Sequence, residues 1–318
     1  MTEVNTDDVA LGQARGRLVG LLQAMRPAQW VKNLIIFGVL IFSLNLFNGI
    51  LLLRTVLAFF LFCILSGAVY IINDYVDLEN DRHHPTKCRR PLASGAVPPR
   101  FAFRSALVLS IIGLTGSFLL GAGFGVVALA YFTLVVLYTF YLKHVVIVDV
   151  FAIALGFVIR ALAGGVVIYR EISAWFLICI LFLSLFLALA KRRHELLLLD
   201  NEAWRHRKSL AEYSSYFLDQ MIAIVTTSTV ISYAMFTVSS ESLEYQRFQT
   251  HNLIYTVPFV LYGVFRYLYL AYHKQQGGSP NRALLTDKAL MLDIFLWFVA
   301  CSLILYRPDL SFLMGFFR

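Results

Sequence analysis

Charge is scarce in this sequence. Only 14% of its 318 residues are Asp, Glu, Lys or Arg, where a soluble domain carries about 25%. The deficit is uneven, because apolar runs of membrane-span length recur and the charges collect between them. A bilayer core of roughly 30 Å takes about 20 apolar residues per helix, so the pattern excludes a soluble multidomain enzyme. Cysteine is also sparse. The four stand at positions 63, 88, 179 and 301, and no two have metal-ligand or redox spacing. They read as small buried hydrophobes. The first fifteen residues hold Glu3, Asp7 and Asp8 but no apolar core, so 1–15 reads as a cytosolic tail and not a signal peptide.

What the sequence does have is an all-α integral membrane protein, with residues 16–318 as a single domain. Nine spans are expected, at 33–48, 52–75, 101–120, 122–141, 145–168, 173–191, 219–240, 252–272 and 287–306. Residues 16–31 place Arg17 and Arg26 among Leu18, Val19, Leu21 and Leu22, which predicts an amphipathic interfacial helix. Two long polar loops, 76–100 and 192–218, fall at similar places in the two halves and hint at pseudo-symmetry. With the N-terminus inside, most Lys and Arg lie on the cytosolic side. That distribution accounts for much of the net charge of +8 without a nucleic-acid partner. The sequence leaves a homo-oligomer open.

The second span ends in Asn73-Asp74-Tyr75-Val76-Asp77-Leu78-Glu79-Asn80-Asp81. If the helix continues, Asn73, Asp77 and Asp81 fall at i, i+4 and i+8, with Asp74 one position away. Carboxylates stacked this closely repel one another, and a divalent cation would neutralise them. Amide and carboxylate oxygens suit Mg²⁺. A solvated acidic helix end is the plainer alternative, although charge at a membrane helix terminus is expensive unless used. The next loop carries Arg82, Lys87, Arg89 and Arg90. An acidic ladder followed by a basic loop matches a metal–diphosphate complex, with Lys and Arg neutralising the remaining phosphate charge. Positive-inside topology alone would also give a basic loop. His83 and His84 read as loop residues.

These motifs, with His84-Pro85-Thr86-Lys87 and Arg90-Pro91-Leu92-Ala93-Ser94-Gly95, resemble the UbiA superfamily of intramembrane prenyltransferases. The resemblance spans nearly the whole chain and implies nine transmembrane helices around a central cavity, with Mg²⁺ as cofactor. Ordinary members carry a second aspartate-rich motif after the sixth helix. Here that place reads Lys191-Arg192-Arg193-His194-Glu195-Leu196, then Asp200 and Glu202. The site therefore reads as built for more phosphate and less metal.

Three segments resemble a narrower branch, the polyprenyl-phosphate phosphoribosyltransferases. They are Arg26 to Asn33, Tyr138 through Lys143 to Asp149 with Arg160, and Lys191-Arg192 with Glu195. The branch implies transfer of phosphoribosyl from phosphoribosyl pyrophosphate to a decaprenyl-type polyprenyl phosphate at the bacterial plasma membrane, releasing diphosphate. In actinobacteria such a product feeds cell-wall arabinan synthesis. Catalytic roles are expected for Asp74, Asp77, Asp81, Lys191 and Glu195, with Mg²⁺ on Asn73, Asp74, Asp77 and Asp81. Lys87 and Arg90 would grip the diphosphate, and Lys143, Lys191 and Arg192 the 5-phosphate. Glu195 would meet the ribose hydroxyls or a second cation. Arg26, Gln29, Lys32 and Asn33 would hold the lipid phosphate, and Tyr138, Asp149 and Arg160 would line the substrate cavity. Asp149 and Arg160 lie about 16 Å apart along one helix face, too far to pair directly. The alternatives are an aromatic prenyltransferase of the same superfamily, using a prenyl diphosphate, and a transporter using the acidic ladder as a cation site.

Overall fold

The computed structural model describes residues 16–83, 86–199, 210, 212–239, 251–274 and 286–306. The expected tail 1–15, and His84, Pro85, Asp200 and Glu202, lie outside the described residues. A short helix α1 (16–24) leads to Arg26, which takes a left-handed backbone at φ 55°. There follows α2 (Pro27–Phe42), 3₁₀ over Pro27–Ile36 and α-helical over Phe37–Phe42. The remaining helices are α3 (Gly49–Val76), α4 (Leu78–Arg82), α5 (Pro99–Leu120), α6 (Ala122–Phe140), α7 (Val148–Val167), α8 (Ala174–Leu199), α9 (Ser215–Val238), α10 (Val257–Tyr272) and α11 (Lys288–Leu305).

Eight helical stretches among the described residues are long and apolar enough to cross a membrane, α10 counting with the 3₁₀ turn before it as Asn252–Tyr272, and α2 is shorter. The first expected span, 33–48, departs from the sequence reading for a local reason. Leu44 has φ 55°, the Asn45 amide donates to the Ser43 carbonyl at 2.6 Å, and the Asn48 side chain caps α3 at Ile50 and Leu51. Residues 43–48 are a turn in place of helix. The 3₁₀ winding of α2 partly makes up its length. As pure α-helix α2 would reach about 24 Å, and with its 3₁₀ stretch it reaches about 29 Å.

Helix α7 is the spine, packed against α8, α6 and α2. Its buried face is small-residue rich, with Ala154, Gly156, Ala161, Ala163 and Gly164. A β-carbon on Gly164 would lie 2.2 Å from the Ile36 carbonyl oxygen, so glycine is what lets α7 meet the α2 backbone. Two apolar cores include residues of α7, one from its last turns (Ala163, Val167) and the other from its first half (Val150, Ala154). One gathers Ile36, Phe62, Leu65, Phe124 and Tyr131. The other gathers Phe186, Leu189, Leu218, Val264 and Tyr267. Leu107, Ile111, Ile224 and Phe295 point outward, as lipid-facing positions do. At the end opposite the acidic ladder, Arg54 donates to the carbonyls of Val167 and Leu120, each at 2.8 Å. One cation thereby satisfies the ends of α5 and α7.

Candidate active site

Helix α3 stops at Val76, and Asp77 (φ −88°, ψ 9°) links it to α4. The backbone bonds nonetheless run on, from Asp77 N–H to the Asn73 carbonyl at 2.9 Å and from Asp81 N–H to the Asp77 carbonyl at 2.8 Å. The ladder therefore keeps its expected register across the break. Asp74 and Asp81 are buried, and Asp77 is half-exposed.

Three cations meet these three carboxylates, each from a different segment. Arg26, at the α1–α2 turn, bonds Asp74 and lies over the Tyr70 ring. Arg90 reaches Asp74 at 3.1 Å and Asp81 at 2.6 Å. Lys143, between α6 and α7, donates to Asp77 Oδ1 at 2.8 Å, while the Asn73 amide donates to Asp77 Oδ2 at 3.0 Å. The repulsion expected from the sequence is thus offset by pairing, which also draws the three segments together over the end of α3.

A second cluster forms at the end of α8. Arg192 donates to Glu195 Oε2 at 2.5 Å, and Lys191 Nζ is 3.8 Å from Oε1. Arg192 Nε also faces the fully buried Asp149 at 3.6 Å, an ion pair too long for a hydrogen bond. The other Asp149 oxygen accepts from the Tyr213 hydroxyl at 2.8 Å, and that hydroxyl accepts from Ile147 N–H at 2.7 Å. Burial, and then the bond to Asp149, push the Tyr213 phenol up, so it remains a donor. Lys87 lies between the clusters. Burial and the neighbouring Arg90 lower its pKa, opposed by Asp81, Asp77 and Glu195. Tyr213 was absent from the sequence-derived set, since it stands in a polar stretch beside Tyr216 without a motif.

Asn33 and Arg160 join a third, deeper group. Arg160 donates to Asn33 Oδ1 at 2.8 Å, to the Gly156 carbonyl at 2.9 Å and to the Tyr131 hydroxyl at 2.7 Å, with its guanidinium over the Tyr131 ring. The Asn33 amide turns to Cys63 and Ser66. Arg160 and Asp149 belong to separate networks, as their spacing required. Lys32 stands near Arg160 and Arg26, with no carboxylate bonded to it among the described residues. Gln29 is half-buried in α2, and Tyr138 is half-buried in the last turn of α6.

A cavity of about 510 Å³ lies elsewhere, between α9 and α10, lined by Asp219, Ile222, Thr226, Tyr269 and Tyr272. None of Asn73, Asp74, Asp77, Asp81, Arg26, Arg90 or Lys143 lines this cavity. Among the described residues no three acids, histidines or cysteines converge as a ready-made metal pocket. The donor set Asn73, Asp74, Asp77 and Asp81 is nevertheless all oxygen, the chemistry Mg²⁺ takes. The aspartate oxygens bond Arg26, Arg90 and Lys143 here, so a metal at the ladder would take the place of these cations.

Residues 34–299 match the UbiA prenyltransferase family. Decaprenyl-phosphate phosphoribosyltransferase of Corynebacterium glutamicum is 34% identical over 293 residues, covering 90% of this chain and 87% of the relative. The protein of that name from Mycobacterium tuberculosis is 32% identical over 298 residues, covering 92% of this chain and 96% of the relative. In fold, the chain resembles a UbiA homologue from Archaeoglobus fulgidus bound to GPP and Mg²⁺, with a TM-score of 0.69 at 18% identity over 90% of this chain and 99% of that one.

Proposed function

The chain belongs to the UbiA prenyltransferase family, and from that premise we propose that it is a Mg²⁺-dependent polyprenyl-phosphate phosphoribosyltransferase. Its donor is phosphoribosyl pyrophosphate, its acceptor a decaprenyl-type phosphate, and its leaving group diphosphate. The observation that carries this reading is the excess of cations among the described residues of the two clusters. Arg26, Arg90 and Lys143 already match the three aspartates, and Lys32, Lys87, Lys191 and Arg192 stand beyond them against Glu195 and Asp149. A prenyl diphosphate and an aromatic acceptor such as 4-hydroxybenzoate would bring one diphosphate and one carboxylate to this surface. Phosphoribosyl pyrophosphate and a lipid phosphate bring three anionic groups. The names of the relatives from Corynebacterium and Mycobacterium support the same chemistry.

Mg²⁺ on Asn73, Asp74, Asp77 and Asp81 would supply Lewis-acid charge to the diphosphate. Arg90 and Lys143, turned from the carboxylates, bond its remaining oxygens, and Lys87 adds a third cation between the clusters. Lys191 and Arg192 hold the 5-phosphate, and Glu195 accepts from ribose hydroxyls. Lys32 and Arg26 hold the lipid phosphate, with Arg160 fixing the helix behind them through Asn33. An acceptor phosphate oxygen bonds ribose C1 as the C1–O bond to diphosphate breaks, and the leaving group carries away the electron pair. The acceptor is already an anion, so positioning and charge stabilisation supply the catalysis without a strong base. Displacement from the opposite face inverts C1. The Lys and Arg distribution supports a cytoplasmic position for this end of the bundle.

The test uses purified protein with Mg²⁺ and two substrate pairs. One is phosphoribosyl pyrophosphate with polyprenyl phosphate, and the other is a prenyl diphosphate with 4-hydroxybenzoate. A phosphoribosylated lipid, lost in Asp77→Ala, supports the assignment. A prenylated aromatic product with no turnover of the first pair overturns it.

A further inference from the structure

Between α6 and α7 the backbone makes a turn that an isoleucine rarely accepts. Ile147 has φ 67° and ψ −47°, and Val148 N–H bonds the Val146 carbonyl at 2.8 Å. Together these define a γ-turn of the strained, positive-φ kind. A β-branched residue with φ above zero is a genuine outlier, and such a conformation persists only where its surroundings impose it.

Backbone bonds across the stretch, such as Asp149 N–H to the Val145 carbonyl at 3.0 Å, are joined by one side chain from outside it. Ile147 N–H donates to the Tyr213 hydroxyl at 2.7 Å, and that hydroxyl donates to Asp149 Oδ1 at 2.8 Å. Tyr213 is 4% exposed and is held from behind by a stacking contact with Phe217 on α9. The phenol therefore clamps both ends of a three-residue stretch across a separation of more than sixty residues in sequence.

On each side of this stretch stand groups of the proposed reaction. Lys143, paired with Asp77, lies in the 3₁₀ turn Leu142–His144 just before it. Asp149, opposite Arg192, lies just after it, and Arg192 in turn holds Glu195. Release of the γ-turn would move the start of α7 and shift Lys143 and Asp149 together, changing the distance between the two clusters.

We propose that Tyr213 is a positioning residue for transfer: its hydroxyl holds Ile147 in the strained turn and so sets Lys143 and the Asp149–Arg192–Glu195 chain against the donor. The inference rests on the phosphoribosyl-transfer reading for the identity of that donor. It assigns Tyr213 no contact with substrate.

The strain itself supplies the test. Glycine takes a positive φ without the β-carbon penalty, so Ile147→Gly makes the turn independent of its clamp. Turnover of phosphoribosyl pyrophosphate would be measured in the parent protein, Tyr213→Phe, and Tyr213→Phe with Ile147→Gly, at matched recovery of monodisperse protein. Amide exchange of the 142–150 peptide would be followed in parallel. The expected result is a fall in kcat of about 10- to 100-fold in Tyr213→Phe with a smaller change in KM. Faster exchange at Ile147 should accompany it, and the double variant should recover most of the loss. A Tyr213→Phe enzyme within about twofold of the parent, or a loss that Ile147→Gly leaves unchanged, overturns the proposal. A parent inactive on phosphoribosyl pyrophosphate condemns the assigned reaction instead. Exchange then decides the clamp, and unchanged protection of the 142–150 peptide in Tyr213→Phe overturns it.

Discussion

Lys143 and Asp77, 66 positions apart in sequence, meet at 2.8 Å across the end of the bundle. The pair joins the α6–α7 turn to the acidic ladder and holds a cation where the leaving group of the proposed reaction gathers charge. Lys143→Met should lower kcat/KM for phosphoribosyl pyrophosphate by about 100- to 1,000-fold, the scale of losing one preorganised charge at a reacting centre. Steady-state turnover checks this, and a loss under about threefold would remove Lys143 from the site.

Arg160 gives a prediction about stability. Arg160→Met leaves Asn33 Oδ1 and the Tyr131 hydroxyl buried without their donor. Each unsatisfied group costs about 1–3 kcal/mol. Thermal unfolding in detergent should show a clear loss. Adding Asn33→Leu to Arg160→Met should cost less than the two single changes summed, because the pair acts as one unit.

Gly164→Ala should destabilise more than its size suggests. The added methyl would press on the Ile36 backbone carbonyl, which no side-chain rotation can clear. An overpacking cost of about 1–3 kcal/mol is expected, read as lowered thermal stability. Gly49→Ala meets nothing within 4 Å and should change packing little.

Lys87 sets a pH dependence. Burial lowers its pKa, with Arg90 adding to the effect, so its charge is lost at a lower pH than that of an exposed lysine. In the proposed reaction the charged form grips the diphosphate, so kcat/KM should fall on the alkaline side below the usual lysine range. The free-enzyme profile reports this group. Lys87→Arg keeps its charge through that range and should move the alkaline limb upward. An unchanged limb would detach it from Lys87.

The apolar runs made most of the fold legible, because span length follows directly from the bilayer's thickness. The first span was misplaced because Asn45 and Asn48 act through local side-chain bonds, which hydropathy does not register. The ladder from Asn73 to Asp81 was legible for its helical spacing, and it kept that register even though α3 breaks at Asp77. The pairing of Arg26, Arg90 and Lys143 with particular carboxylates was not legible, since each pair is long-range. Tyr213 was hidden for the same reason. Its role depends on a strained turn at Ile147, and a backbone angle leaves no mark in composition.

The most direct measurement is diphosphate release from phosphoribosyl pyrophosphate by the purified protein with Mg²⁺, in the presence and absence of polyprenyl phosphate, with the lipid fraction weighed by mass spectrometry. Release that requires the lipid phosphate, together with a lipid heavier by one phosphoribosyl group, is the predicted result. Release without the acceptor, or none in its presence, would contradict phosphoribosyl transfer at the Asp74–Asp77–Asp81 cluster.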